Sequence, residues 1–281
     1  MLYDSLNHLS KSETFKNAVL KGIAPDKGLF FPRQIIPLKQ KILNELSKLH
    51  IHEIAFEAIQ QFIGNCIPKR KLKNIIEETL CFDFPLVKLD KDIYSLELFH
   101  GPTLAFKDVG ARFMARCVEY FNENENENIT ILVATSGDTG AAVADGFYNI
   151  SGVNVVILYP KNKISIIQEK QMTTLGKNIT ALEVDGVFDD CQEMVKKAFL
   201  DPQIIKKIRL TSANSINVAR WLPQMFYYFS GYVSASKFGL PINFSVPSGN
   251  YGNLCAGLIA KKLGLPINHF LACTNANDSV P

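Results

Sequence analysis

From Pro85 onward the sequence alternates short runs of strand-forming residues with amphipathic stretches, and this alternation narrows the fold more than any other feature. The runs are "PLVKL", "IYSLELF", "ITILVA", "VNVVILY", "NITALEV", "IRLTSA", "INFSV" and "INHFLAC". Between them the apolar spacing predicts helices over 107–121, 139–149, 164–175, 187–200, 216–236 and 252–264. Strands that read as near-continuous Val, Ile and Leu, separated by helices, are buried on both faces. The expected class is therefore α/β, with mainly parallel sheets flanked by helices. Residues 1–85 read differently: apolar residues recur every three or four positions in "ILNELSKL", "EIAFEAIQQFI" and "LKNIIEETL", with "GLFFP" as a strand or turn. The expected division is a mostly helical N-terminal domain over 1–85 and a catalytic α/β region over 86–281. With 281 residues, 47% of them hydrophobic, the chain has enough apolar side chains for a large core.

Thirty basic and twenty-seven acidic residues are spread along the chain, a balance that argues against nucleic acid or an anionic membrane as partner. No run approaches the ~18 apolar residues of a membrane-spanning helix, and "MLYDSLNHLSKSETF" lacks the apolar core of a secretion signal. The six cysteines (Cys66, Cys81, Cys117, Cys191, Cys255, Cys273) form no C-x-x-C pair and are expected as reduced residues of a cytoplasmic protein. His50 and His52, two apart in a predicted helix, are expected on different faces, which speaks against a metal site. The polar tract "NENENEN" (122–128) is expected as a solvated loop.

In open α/β sheets ligands bind beyond the carboxyl ends of strands, so the loops that leave strands carry the information. In "ITILVATSGDTGAAVA", Thr135, Ser136, Asp138 and Thr139 stand where a strand gives way to a helix. Hydroxyls and N–H groups converging on a helix start suit an anion such as a carboxylate; an ordinary capped turn would look the same. In "INFSVPSGNYGNLCAG", Ser248, Gly249, Asn250, Tyr251, Gly252 and Asn253 offer a run of N–H groups able to cradle a phosphate, the alternative being a turn that needs glycine only for its geometry. In "RLTSANSINVARWLPQ", Ser215 reads as the N-cap of a helix, flanked by Asn214 and Asn217. Arg220 lies within reach of that helix start, as a second phosphate would require, or is a surface arginine beyond a capped helix. Neither glycine loop fits G-x-G-x-x-G, and no G-x-x-x-x-G-K-[ST] occurs, so small anions are expected rather than a dinucleotide.

Lys107, in "LFHGPTLAFKDVGARF", opens a predicted helix in an apolar neighbourhood. The positive end of the helix dipole and the apolar surroundings both favour a neutral amine, which can attack a carbonyl and shuttle protons. The competing reading is a lysine paired with Asp108 or another carboxylate.

The segments "FHGPTLAFKD", "ATSGDTGAA", "ILYPKNKISIIQEKQM", "SANSINVAR" and "SVPSGNYGN", in this order, make the chain resemble the threonine synthases among the fold-type-II pyridoxal-phosphate enzymes, of tryptophan synthase β-like architecture. The resemblance implies pyridoxal 5'-phosphate as cofactor, O-phospho-L-homoserine and water as substrates, and L-threonine and phosphate as products. It implies that Lys107 carries the cofactor and that Ser248, Gly249, Asn250, Tyr251, Gly252 and Asn253 hold its phosphate. Thr135, Ser136, Asp138 and Thr139 then surround the amino-acid end of the substrate, and Asn214, Ser215 and Arg220 its phosphate. A phospholyase releasing 2-oxobutyrate would share these motifs. A dehydratase or β-replacement enzyme would usually carry Asn at Asp138 and lack the second phosphate group. Members of the resembled family continue past the segment "ACTNANDSVP", so the chain is expected to lack a C-terminal part that includes the group facing the pyridine nitrogen. It is expected to turn over poorly alone, or to be an inert fragment.

Overall fold

The computed structural model describes residues 1–123 and 127–276. Its elements in chain order are β1 (Leu2–Ser5), β2 (Glu13–Thr14), α1 (Phe15–Lys21), β3 (Phe30–Pro32), α2 (Gln40–Glu45), α3 (Ile51–Ile63), α4 (Lys69–Thr79), β4 (Leu86–Asp90), β5 (Ile93–Leu96), α5 (Lys107–Asn122) and β6 (Ile129–Ala134). They continue with α6 (Asp138–Gly146), β7 (Val153–Pro160), α7 (Ile166–Thr173), β8 (Ile179–Val184), α8 (Phe188–Leu200), α9 (Pro202–Lys207), β9 (Arg209–Ser212), α10 (Val218–Trp221), α11 (Met225–Ser236), β10 (Ile242–Pro247), α12 (Gly252–Lys262) and β11 (Ile267–Cys273).

The α/β expectation holds, with a division of the strands that the sequence did not reveal. Four of them form a parallel sheet in the order β8-β7-β6-β9, and β10 pairs in parallel with β11 in a second sheet. The four-stranded sheet is apolar on both faces because side chains alternate along each strand. Ile131, Val133, Val155 and Ile157 turn into the main core, while Leu132, Ala134 and Leu158 turn the other way onto Cys191 and Val195 of α8. β7 and β8 extend the sheet on one side of β6, and β9 returns on the other. The order of strands thus reverses between β6 and β9, opening a crevice at their carboxyl ends.

β4 and β5 do not join the parallel sheets; they form an antiparallel hairpin. The N-terminal segment carries α1 to α4 and also a small antiparallel sheet, β2-β1-β3. Strands of two to four residues carry too few alternations to register in a pattern search. This segment shares the main core, with Phe15 edge-on to Phe121 of α5 and Phe31 stacked on Trp221 of α10.

The single helix expected over 216–236 is broken. Pro223 has no N–H to donate, and residues Leu222–Gln224 tighten into a 3-10 turn between α10 and α11. Its cap is Asn217 rather than Ser215: the Asn217 carboxamide oxygen accepts from the Ala219 N–H at 3.0 Å. The histidine expectation is corrected too. His50 is the N-cap of α3, outside the helix proper, so its ring meets that of His52 edge-on, with centroids 4.6 Å apart. Of "NENENEN", Asn122 is the buried last residue of α5 rather than loop, and residues 124–126 lie outside the described residues. Among the described residues all six cysteines are free, no helix is long and apolar enough to cross a membrane, and no group of three or more metal-ligating side chains occurs.

Asn217 braces the crevice from below. Its Nδ2 donates to the carbonyls of Val19 in α1 (2.9 Å) and Ser212 in β9 (3.0 Å), and Thr211 Oγ1 donates to the same Val19 carbonyl at 3.2 Å. Asn217→Ala leaves buried carbonyls without that donor and removes the cap, so unfolding by denaturant should show a loss of about 2–4 kcal/mol. Lys197→Ala, which breaks an exposed helical pair with Glu193, should stay within about 0.5 kcal/mol of the parent.

Candidate active site

Lys107 is the first residue of α5, at the end of a loop fastened by Asp108. Asp108 Oδ2 accepts from the Thr103 N–H at 3.0 Å, and its Oδ1 accepts from the Thr103 hydroxyl. A side chain on Gly101 would overlap that carboxylate, which explains the glycine. Burial raises the Asp108 pKa, with the Thr103 hydrogen bonds opposing it. Asp108 therefore faces the loop and does not pair with Lys107. The lysine's partner is Asp138 at the start of α6, with Nζ 3.6 Å from Oδ2. Burial lowers the Lys107 pKa, the nearby Arg220 charge lowers it further, and Asp138 works the other way. The direction and the part played by burial match the sequence expectation, and the Arg220 guanidinium adds to them.

Arg220 is not a surface residue. It is 1% exposed, between α5 and the loop after β9, and one terminal nitrogen donates to the Ala213 carbonyl while Nε has no partner among the described residues. Burial pulls its pKa down to about 10 against the opposing influence of Asp108 and Tyr227. From the short α10 the guanidinium reaches back to the Ala213 carbonyl, ahead of the helix start.

The loop after β6 is held from inside. Thr135 Oγ1 accepts from the N–H groups of Gly137 (3.0 Å) and Gly140 (2.8 Å) and donates to the Gly137 carbonyl (3.2 Å). Its hydroxyl is thus spent on the turn, while Ser136 is exposed and Asp138 and Thr139 are half-buried. The loop after β9 meets it across the crevice, where Asn214 Nδ2 donates to the Ala134 carbonyl at 3.4 Å. Ser215 is half-buried, and its carbonyl oxygen lies about 4.0 Å from where a Cβ on Gly252 would stand.

The loop after β10 ends in an unusual helix start. Tyr251, the N-cap of α12, is left-handed at φ 52° and makes no side-chain capping bond. The Ser248 hydroxyl accepts from the Tyr251 N–H at 3.1 Å, and the Tyr251 hydroxyl donates to the Cys273 carbonyl at 3.0 Å. Asn250 and Asn253 turn their side-chain oxygens onto backbone N–H groups of Gly252 (3.4 Å) and Leu254 (2.9 Å). A Cβ on Gly249 would meet nothing within 4 Å, so open space lies before the loop.

Two residues that the sequence reading passed over tie these parts together. The Tyr227 hydroxyl donates to the carbonyl of Phe106, next to Lys107, and the Tyr228 hydroxyl donates to the carbonyl of Asn253 at 2.8 Å. Adjacent residues on a helix point about 100° apart, so one turn of α11 reaches both the lysine loop and the glycine loop. Nothing in "QMFYYFSG" distinguishes these tyrosines from core aromatics. Gln168 of α7, bound to Asp138, is the third omission; its signal was the S-x-x-Q capping pattern from Ser165.

Comparison with known proteins gives the chain its relatives. The family model described as "Threonine synthase N terminus" matches residues 2–80, and "Pyridoxal-phosphate dependent enzyme" matches residues 78–279. Threonine synthase of Buchnera aphidicola subsp. Acyrthosiphon pisum is 48% identical over 282 residues, covering 100% of this chain and 65% of that protein. The crystal structure of threonine synthase from Escherichia coli superposes with a TM-score of 0.91 at 43% identity, covering 100% of this chain and 65% of that one. The PLP-bound threonine synthase from Brucella melitensis gives a TM-score of 0.92 at 37% identity, covering 99% and 61%. The chain thus spans somewhat under two thirds of the length of these relatives.

The position of Lys107 has a consequence for stability. Because its folded pKa lies below the ordinary lysine value, the unfolded chain binds more protons between the two, and this residue's contribution rises with pH across that window. Lys107→Met should therefore be more stable than the parent at pH 7. The advantage should fade as pH approaches the ordinary lysine pKa of about 10.4, as denaturant unfolding at a series of pH values would register.

Proposed function

The chain belongs to the pyridoxal-phosphate-dependent enzyme family, and from that membership we propose that it serves the reaction of a threonine synthase, converting O-phospho-L-homoserine and water to L-threonine and phosphate. The observation that carries the proposal is a half-buried amine, Lys107, with a lowered pKa beside two loops suited to anions. The residues present fit the cofactor. Lys107 Nζ would hold its aldehyde carbon, and Ser248, Gly249, Asn250, Tyr251, Gly252 and Asn253 would hold its phosphate at the open space before Gly249, where the α12 N-cap contributes no side chain. When bound, pyridoxal phosphate supplies an electron sink for charge developing on the substrate's carbon atoms.

The chain's own groups divide the remaining work. Lys107 Nζ is the base available to take and return protons at the substrate's Cα and Cβ. Asn214, Ser215 and Arg220 would bind the substrate phosphate and stabilise it as the Cγ–O bond breaks and the electron pair leaves with it. A fixed guanidinium with an unpartnered Nε suits that charge better than a mobile lysine. Water oxygen then adds at Cβ. Ser136 and Thr139 would meet the amino-acid end of the substrate, and Thr135 shapes the loop that presents them. Asp138, a carboxylate, suits the ammonium groups at the site rather than the substrate's own carboxylate.

The test is to load the purified chain with pyridoxal phosphate, add O-phospho-L-homoserine and identify the product. L-threonine is expected, formed slowly, and Lys107→Ala should lose the absorbance of lysine-bound cofactor together with about 10²- to 10⁴-fold in turnover. Release of 2-oxobutyrate, ammonia and phosphate would point to a phospholyase. A chain that binds the cofactor through Lys107 and forms neither product would refute the proposed activity for this chain.

A further inference from the structure

Helix α7 lays two glutamines, one turn apart, against the site. Gln171 Nε2 donates to the carbonyl of Thr103, in the loop before Lys107, at 3.3 Å. Gln168 is fixed at both ends of its amide. Its Oε1 accepts from the Ser165 hydroxyl at 3.0 Å and, more weakly, from the Ser165 N–H at 3.4 Å, while Nε2 donates to Asp138 Oδ1. The capping geometry of Ser165 thus decides which way the amide points. It leaves Asp138 with one oxygen bound to Gln168 and the other 3.6 Å from Lys107 Nζ. Gly137 permits the approach, because a Cβ there would overlap Gln168 Oε1.

We propose that Gln168 is a positioning residue: its amide holds the half-exposed Asp138 so that the free carboxylate oxygen faces Lys107 and governs how readily that amine gives up its proton. The functional meaning of this device rests on Lys107 being the amine that takes up pyridoxal phosphate, as proposed above. Without Gln168, the Asp138 side chain, 46% exposed, can turn into water, where its attraction for the ammonium is screened. The charged groups acting on Lys107 are Asp138 from α6 and Arg220 from α10. Further along α5, Arg112 pairs with Asp145 of α6, and Arg116 with Glu78 of α4 and Glu119. Asp108 faces Thr103, the charge of Glu169 on α7 acts on Tyr159, and Lys21 of α1 pairs with Glu13.

The sign follows from the charges. Asp138 favours the ammonium form, so losing it from its position makes Lys107 neutral at lower pH. The readout is the pH midpoint of Lys107 acylation by a short pulse of acetic anhydride, followed by mass spectrometry of the Lys107 peptide, in the chain and its variants. Asp138→Asn should lower the midpoint by about one pH unit. Gln168→Ala should reproduce more than half of that fall, and should add nothing in the Asp138→Asn background. Ser165→Ala, which loosens the amide at an exposed position, should move the midpoint the same way by less, and serves should Gln168→Ala fail to fold. A midpoint in Gln168→Ala or Ser165→Ala that equals or exceeds the parent's would overturn the proposal, as would additive effects of Gln168→Ala and Asp138→Asn. A lowered melting temperature with no movement of the midpoint would mark Gln168 as merely structural. Protection of Lys107 by pyridoxal phosphate, followed in parallel, addresses the cofactor reading separately: its absence would sink that reading and leave the midpoint comparison intact.

Discussion

Helix α5 lies so close to α10 that the Arg220 carbonyl occupies the space where a side chain on Gly110 would begin. The rest of the site depends on this approach. With the helices in contact, the Arg220 guanidinium is sealed from water and must find its donors' partners inside, which it does in part at the Ala213 carbonyl. It also comes within electrostatic range of Lys107 and Asp108, which α5 carries on its first two positions. A larger residue at 110 would part the helices, admit water and dissolve the field that distinguishes this lysine from a surface one.

The sign of that field bears on ligand choice. Two cations, Lys107 and Arg220, are set against Asp108 and Asp138. Burial raises the pKa of Asp108 and so weakens its hold on a negative charge, and Asp138 sits at the half-exposed edge. Both cations carry depressed pKa values because burial penalises their charge. An anionic ligand beside either of them favours its charged form and a neutral one does not. The glycine loop at α12 adds backbone dipoles of the same sense from the opposite side.

Much of this was legible in the sequence because it is local. The strand–helix alternation exposed β6 to β11 through their periodicity, and Lys107, Gly249, Gly252 and Arg220 stood out as residue types that their surroundings do not otherwise call for. What escaped notice depends on contacts between distant segments. Pro223 marked the break between α10 and α11, but a continuous apolar pattern masked it. Asn217 displaced Ser215 as cap because only Asn217 has carbonyls of α1 and β9 within reach of its amide. Tyr227 and Tyr228 act through partners 121 and 25 positions away, separations at which no window of sequence carries a signal, and the S-x-x-Q cap marks Gln168 without revealing its bond to Asp138, 30 positions away. Thr135 is a subtler case. The motif singled it out for the substrate, yet its hydroxyl faces inward and is spent on the turn.

Two bulky residues with left-handed backbone lie in the loops that carry the candidate site residues. Left-handed backbone at His8, Lys27, Asn149, Asn162 and Lys177 falls on exposed turn or loop residues, where it is readily accommodated. Leu104, three residues before Lys107, and Tyr251, at the head of α12, adopt it with bulky side chains, at a cost of the order of 1–3 kcal/mol each. A leucine held at φ 60° and 66% exposed contributes little burial in return. Gly101 and Gly137 then leave room for carboxylate and amide, and Gly110 for a carbonyl. Strain, buried charge and close backbone approach are each unfavourable for folding, and the core of α3, α5 and α11 outweighs them together. Their concentration at one place is the mark of a structure that keeps its amine in an environment water would not provide.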